Sequence, residues 1–98
     1  MRVTKKSDNG KLTVFIEGRL DTTTSPQLSS ELEGALDGVK ELVLDLTLLE
    51  YISSAGLRVL LTTEKTMKGR GKMVVKNVSE MVMEVFEITG FADILTIE

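Results

Sequence analysis

Short aliphatic runs that alternate with segments of helical periodicity constrain this fold more than any other feature of the chain. Thr13–Val14–Phe15–Ile16, Glu41 to Leu46 and Met73–Val74–Val75 are runs of strand length. Between the first two, Leu28, Leu32, Ala35 and Leu36 recur at i, i+4, i+7 and i+8, one face of a helix. Between the second and third, Leu57, Leu60, Leu61 and Met67 recur at i, i+3, i+4 and i+10, again one face, within a helix spanning Ala55 to Lys68. Strands separated by helical crossovers pair in parallel, so this part of the chain predicts an α/β sheet with helices packed on it.

The remaining segments fit around that unit. An extended stretch from Arg2 to Ser7 precedes Asn9–Gly10, and a hairpin turn of that type joins it antiparallel to the next strand, which Gly18 closes. A polar loop, Arg19 to Thr24, is interrupted by Leu20. Ser25–Pro26 then starts the first helix, with Ser as cap and Pro where no hydrogen bond is lost, and the helix is expected to end near Gly38. Thr47 to Ser53 reads as a loop, and Gly69 and Gly71 stop the second helix. Ser79 caps a third helix with Val82, Val85 and Phe86 inward and Gly90 as terminator, and Ile94 to Ile97 is a short final strand. The expectation is one domain over residues 1–98, with a mixed, mostly parallel sheet of four to five strands. Met67, Met73, Met81 and Met83 read as core fillers.

Composition narrows the chemistry. The chain has 98 residues, of which 42% are hydrophobic, enough for a packed core. It has no Cys and no His, which removes disulfides, thiol chemistry, the Ser-His nucleophile pair and the usual transition-metal ligands. A net charge of −3 points away from nucleic acid and anionic membrane. The cluster Lys65, Lys68, Arg70 and Lys72 suits a solvated helix end. No apolar run approaches the roughly 20 residues of a membrane helix, and Met1–Arg2–Val3 leads directly into a strand pattern, so the expected compartment is the cytoplasm. No Gly-x-Ser-x-Gly elbow is present, which argues against a Ser-nucleophile enzyme; a helix start could hold a phosphate, but no Gly-rich phosphate loop supports nucleotide binding. No cofactor or metal is expected.

In parallel sheets, the loops leaving the carboxyl ends of strands gather at one edge, and two polar loops qualify here: Gly18 to Ser25 and Thr47 to Gly56. The second carries Asp45-Leu-Thr-Leu-Leu-Glu-Tyr-Ile-Ser-Ser-Ala-Gly-Leu-Arg-Val-Leu-Leu61, and the first carries Glu17-Gly-Arg-Leu-Asp21. This sequence resembles the STAS domains, particularly the bacterial anti-sigma-factor antagonists. The likeness rests on a strand ending in Asp-Leu, a Ser-rich turn running into Gly-Leu and an aliphatic helix, and a Gly-x-Leu-Asp motif upstream. It extends to the order of elements along the whole chain.

The resemblance implies a non-catalytic partner switch. Such a domain binds an anti-sigma factor that is also a serine kinase. The kinase phosphorylates one Ser of the turn, which releases the antagonist, and a PP2C-type phosphatase resets the cycle. The matching hydroxyl is Ser54, with Ser53 the second candidate, because Ser53 stands where the family often has Asp. Asp21, Thr22, Thr23, Ser53, Ser54, Ala55 and Gly56 form the implied binding surface. A Ser before a helix is also an ordinary cap, and Asp21 is also an ordinary turn residue. The Asp21 carboxylate could orient the Ser54 hydroxyl or accept a donor from the kinase. Gly56 in a first helical turn is explained if another backbone approaches closely. The rival reading is a STAS subunit that docks on a transporter or lipid-trafficking complex without being phosphorylated.

Overall fold

Asn9 and Gly10, both with positive φ (48° and 83°), fold the first two strands onto each other. Strand β1 (Arg2–Asp8) pairs antiparallel with β2 (Lys11–Leu20), in register from Arg2 opposite Glu17 to Asp8 opposite Lys11. The computed structural model describes all 98 residues. Helix α1 (Ser25–Glu33) leads to β3 (Glu41–Asp45), which lies parallel to β2. Strand β4 (Leu49–Ile52) and helix α2 (Ser54–Met67) then lead to β5 (Lys72–Lys76), parallel to β3. Helix α3 (Glu80–Thr89) and a 3-10 turn at Phe91–Asp93 complete the chain. The strand order is β1-β2-β3-β5, with β4 added to β2, giving the mixed, mostly parallel sheet of the expected α/β class.

Both crossovers, β2 to β3 and β3 to β5, step the same way across the sheet, and right-handed connections therefore put α1 and α2 on one face. The core lies under them. Leu12, Val14 and Ile16 of β2, Leu42 and Leu44 of β3, and Met73 and Val75 of β5 meet Leu28, Leu32, Leu57 and Leu60. On the opposite face Thr13, Val43 and Val74 stand in register, with Phe15 beside Thr13, and the two valines are buried but lie outside the main cluster.

Several local expectations need correction. Thr47 to Ser53 is not all loop: Leu49–Ile52 is strand β4, parallel to β2 at Gly18–Leu20. Ten-residue β2 outruns β3, which covers it only as far as Phe15, so its last residues would otherwise lie unpaired. Gly18 correspondingly does not end β2. It has φ +100° and sits at a register shift, where its N–H donates to Leu48 O at 2.9 Å. Helix α1 stops at Glu33, well before Gly38, because Gly34 follows and Leu36 and Val39 are buried from a turn instead. Thr24 takes its cap position, while Ser25 is buried in the first turn and donates its hydroxyl to Asp21 O at 2.5 Å. Ile94 to Ile97 is not a strand. Only Ile97 bridges to Val75, through Val75 N–H to Thr96 O (2.8 Å) and Glu98 N–H to Val75 O (2.9 Å). Met67 and Met73 are buried as expected and Met83 packs against the core, but Met81 is 64% exposed on the outer face of α3. Ser79 caps α3 by accepting from Val82 N–H, and Gly90 ends it with φ +83°.

Gly71 has a role beyond stopping α2. A methyl group there would run into the backbone carbonyl of Lys40, which already accepts from Lys72 N–H at 2.9 Å. The glycine lets the turn before β5 close against the start of β3.

Candidate functional site

The two loops singled out in the sequence are joined by backbone. Ser53 N–H donates to Leu20 O at 2.9 Å, so the end of β4 and the end of β2 stand side by side, and the turn into α2 begins there. Behind the turn, Gly56 is buried with no room for a side chain. A methyl at this position would meet Leu20 Cγ at 2.8 Å and Ile52 Cγ1 at 2.9 Å. The close neighbours of Gly56 are thus two core side chains, and not the approaching backbone that the sequence suggested.

The two serines have different environments. Ser53 has extended backbone (φ −100°, ψ 176°), is half-buried, and caps α2 by accepting from Gly56 N–H at 3.4 Å. Ser54 is the first helical residue, exposed, and its hydroxyl makes no hydrogen bond within the chain. The capping role that competes with a functional role therefore falls on Ser53, which leaves the Ser54 oxygen free. Ala55 is half-buried beside it.

Asp21 is occupied by its own loop. Its Oδ1 accepts from Thr23 N–H and Thr24 N–H, both at 3.0 Å, and its Oδ2 lies 3.9 Å from Arg19 Nε. The Thr24 N–H is the main cause of a carboxyl held below its usual range. Desolvation opposes it, while the Thr24 hydroxyl, Thr23 N–H and Arg19 add to it. No hydrogen bond joins Asp21 to Ser54, so the role of orienting that hydroxyl is not realised; the carboxylate shapes the loop instead. Thr22 and Thr23 are exposed beside it. The Arg19 guanidinium lies over the Tyr51 ring, 4.3 Å from its centroid, and ties the outer sides of β2 and β4 together.

Asp45, at the end of β3, makes a second polar knot. Burial would raise its carboxyl, but donation from the Thr47 hydroxyl (2.5 Å), Thr47 N–H (3.0 Å) and Asn77 Nδ2 (3.0 Å), with Lys76 nearby, holds it below the usual range. Asn77 adopts φ 58° to reach it, so the turns after β3 and β5 are tied to each other.

Between α1 and α2 runs a groove of about 550 Å³, lined by Leu32 and Leu36 from one side and Ala55, Arg58 and Val59 from the other. The sequence reading did not single out Arg58, although its spacing four residues after Ser54 on a helix signalled that the two share a face. Tyr51 and Arg19 were likewise unassigned. Their pairing depends on β4, which the sequence pattern does not show. No cluster of three acidic side chains is placed to hold a metal ion, and no helix is long and apolar enough to cross a membrane.

A serine turn thus lies between a short parallel strand and a helix, with a Gly-x-Leu-Asp loop alongside, and the family model of the STAS domain matches the chain over residues 2–98. The chain belongs to the STAS-domain family. It is similar to BtrV of Bordetella bronchiseptica, whose name provisionally makes it an anti-sigma factor antagonist, with 38% identity over 99% of this chain and 85% of that protein. It is similar also to the anti-sigma-B factor antagonist of Listeria monocytogenes, with 34% identity over 96% of this chain and 84% of that one. Among solved structures, the Bacillus cell fate determinant SpoIIAA in its phosphorylated form superposes with a TM-score of 0.76. It shares 16% identity, over 99% of this chain and 91% of that one, and the likeness there is one of fold.

Proposed function

We propose that this STAS domain is a non-catalytic anti-sigma-factor antagonist that binds an anti-sigma factor with serine-kinase activity and is released when Ser54 is phosphorylated. A PP2C-type phosphatase would restore the binding form. The observation that carries the proposal is the difference between the two serines: Ser53 is engaged as the helix cap, while Ser54 is exposed with an unengaged hydroxyl. The relatives named as anti-sigma factor antagonists, matched over nearly the full chain, support the partner class.

Electrostatics supports the switch. A phosphate carries about −1.5 to −2 charges at pH 7. At an effective dielectric near 20, each unit of charge about 6 Å from a partner carboxylate costs roughly 2.8 kcal/mol. A loss of about 2.7 kcal/mol is already a hundredfold in affinity. The domain itself tolerates the group, because the first N–H groups of α2 and its positive dipole end lie beside Ser54. Asp21, Thr22, Thr23, Ser53 and Ala55 would form the docking surface with Ser54 in this scheme, while Gly56, expected in that surface from the sequence, is buried behind the turn and supports it.

The test is incubation with the cognate anti-sigma kinase and ATP, followed by mass spectrometry and a binding assay. Phosphate on Ser54 with loss of binding, and a Ser54→Ala variant that binds but is not released, is the expected result. Phosphate on Ser53, or stable binding without any modification, would refute the switch; the second outcome is that of a domain that acts by docking alone.

A further inference from the structure

Arg58 lies one helical turn beyond Ser54. Residues at i and i+4 of a helix have Cβ atoms about 5–6 Å apart, within reach of a guanidinium and a phosphate on the same face. Arg58 is exposed, and no carboxylate pairs with it: the chain's two ion pairs are Lys5–Glu31 and Arg19–Asp21. Glu33 lines the same groove from the α1 side, and the two form no salt bridge. At the end of β2, Arg19 and Asp21 face each other at 3.9 Å and largely offset one another. The helix therefore presents an unengaged cation to whatever charge appears on Ser54.

We infer that Arg58 is an intramolecular clamp for phosphorylated Ser54. This rests on the reading of Ser54 as the modified residue and goes beyond it by assigning the phosphate a partner within the chain. Before modification, the guanidinium is available to an acidic group of the bound protein. After modification, the nearer dianion draws it back onto the helix. Phosphorylation then removes a cation from the docking face in the same event that adds an anion, so Arg58 adds to the switch without touching the phosphoryl-transfer chemistry.

The phosphate itself provides a readout that a merely structural arginine would not move. A nearby cation favours the dianion and lowers the second phosphate pKa, which is about 6 when unperturbed. Phosphoserine can be installed at position 54 by genetic incorporation, with no kinase needed, and titrated by phosphorus NMR in the full chain. Replacing Arg58 by Gln is expected to raise that pKa by about half a unit, as one exposed charge–charge contact predicts. R58K should restore part of the shift, since Lys keeps the charge but not the two-pronged geometry, and added salt should shrink the difference. The helix N–H groups are common to all three proteins and cancel. Equal titration of wild type and R58Q would overturn the clamp. Failure of the kinase to modify Ser54 would defeat the proposed function while leaving this measurement intact, so the two ideas fail separately.

Discussion

Replacing Gly56 with Ala sets two known effects against each other. Within a helix, Ala is favoured over Gly by roughly 1 kcal/mol, and less than that in the first turn, so propensity alone predicts a slight gain. The added methyl, however, would stand 2.8 Å from Leu20 Cγ, 2.9 Å from Ile52 Cγ1 and 3.0 Å from Leu20 Cδ2. Carbon atoms pack best at about 3.5–4.0 Å, so all three contacts lie on the repulsive wall. Neither neighbour can give way easily. Leu20 is 0% and Ile52 3% exposed, and the paired ends of β2 and β4 hold both. Overpacking of this kind costs typically 1–3 kcal/mol, and two immobile neighbours place this case toward the upper end. The net effect is a loss of about 1–2 kcal/mol. In urea, where small domains have slopes of about 1–3 kcal/mol per molar, the midpoint should fall by roughly 1 M with an unchanged slope. A Gly56→Ala protein as stable as the wild type would show that the turn has room to spare, and the packing account of this glycine would be wrong.

Gly71→Ala should cost more, about 3 kcal/mol, because the methyl meets the Lys40 carbonyl, a backbone atom already bonded to Lys72 N–H; thermal unfolding within a degree of wild type would refute this. Leu60 is fully buried, so Leu60→Ala should lose roughly 2–5 kcal/mol in the same urea assay, and a loss below about half a kilocalorie would remove it from the core. Acid sensitivity follows from Asp21 and Asp45, whose carboxyls are held below the usual carboxylate range. The unfolded chain then binds more protons than the folded one, so these groups stabilise fully above their unfolded pKa, and that contribution fades as pH falls through the lower folded values. Stability measured from pH 5 down to pH 2 should decline less steeply in Asp45→Asn than in wild type, about in proportion to the one titrating group removed; identical slopes would mean that the Thr47 and Asn77 contacts do not favour the carboxylate.

What could be read in advance followed from period and punctuation. Leu28, Leu32, Leu57 and Leu60 declared their helix faces because each face is buried on one side only, and Asn9–Gly10 and Gly90 declared their turns because positive φ leaves few alternatives. Strand β4 was illegible for a physical reason. Four residues with only Leu49 and Ile52 inward show no alternation, and their pairing depends on β2 being long enough to outrun β3, a fact of tertiary structure. The same holds for Gly71, whose need for a bare Cα comes from Lys40, over thirty residues away. At the site, the Ser-rich turn marked the two hydroxyls at the start of α2, yet spacing alone could not say which of Ser53 and Ser54 would cap the helix. That depended on where β4 ended, since a residue hydrogen-bonded to Leu20 O in extended conformation is the one positioned to cap.

On the proposed function, strand β4 is also what would make a phosphate on Ser54 effective. A charge added to a mobile loop can relax away from a bound partner, and much of its repulsion is then lost. Here Ser53 is fixed to β2 through its backbone N–H, Gly56 is wedged against Leu20 and Ile52, and α2 continues from that point into the core through Leu57 and Leu60. The backbone of Ser54 has rigid structure on both sides and cannot withdraw. Under the proposed switch, a new dianion would be met by groups already present on the helix or be felt by the docked protein, and its energy would go into binding instead of local unfolding. Weakening the support without touching the serines, as Gly56→Ala does, should for that reason blunt the effect of phosphorylation on affinity even where binding of the unmodified protein survives.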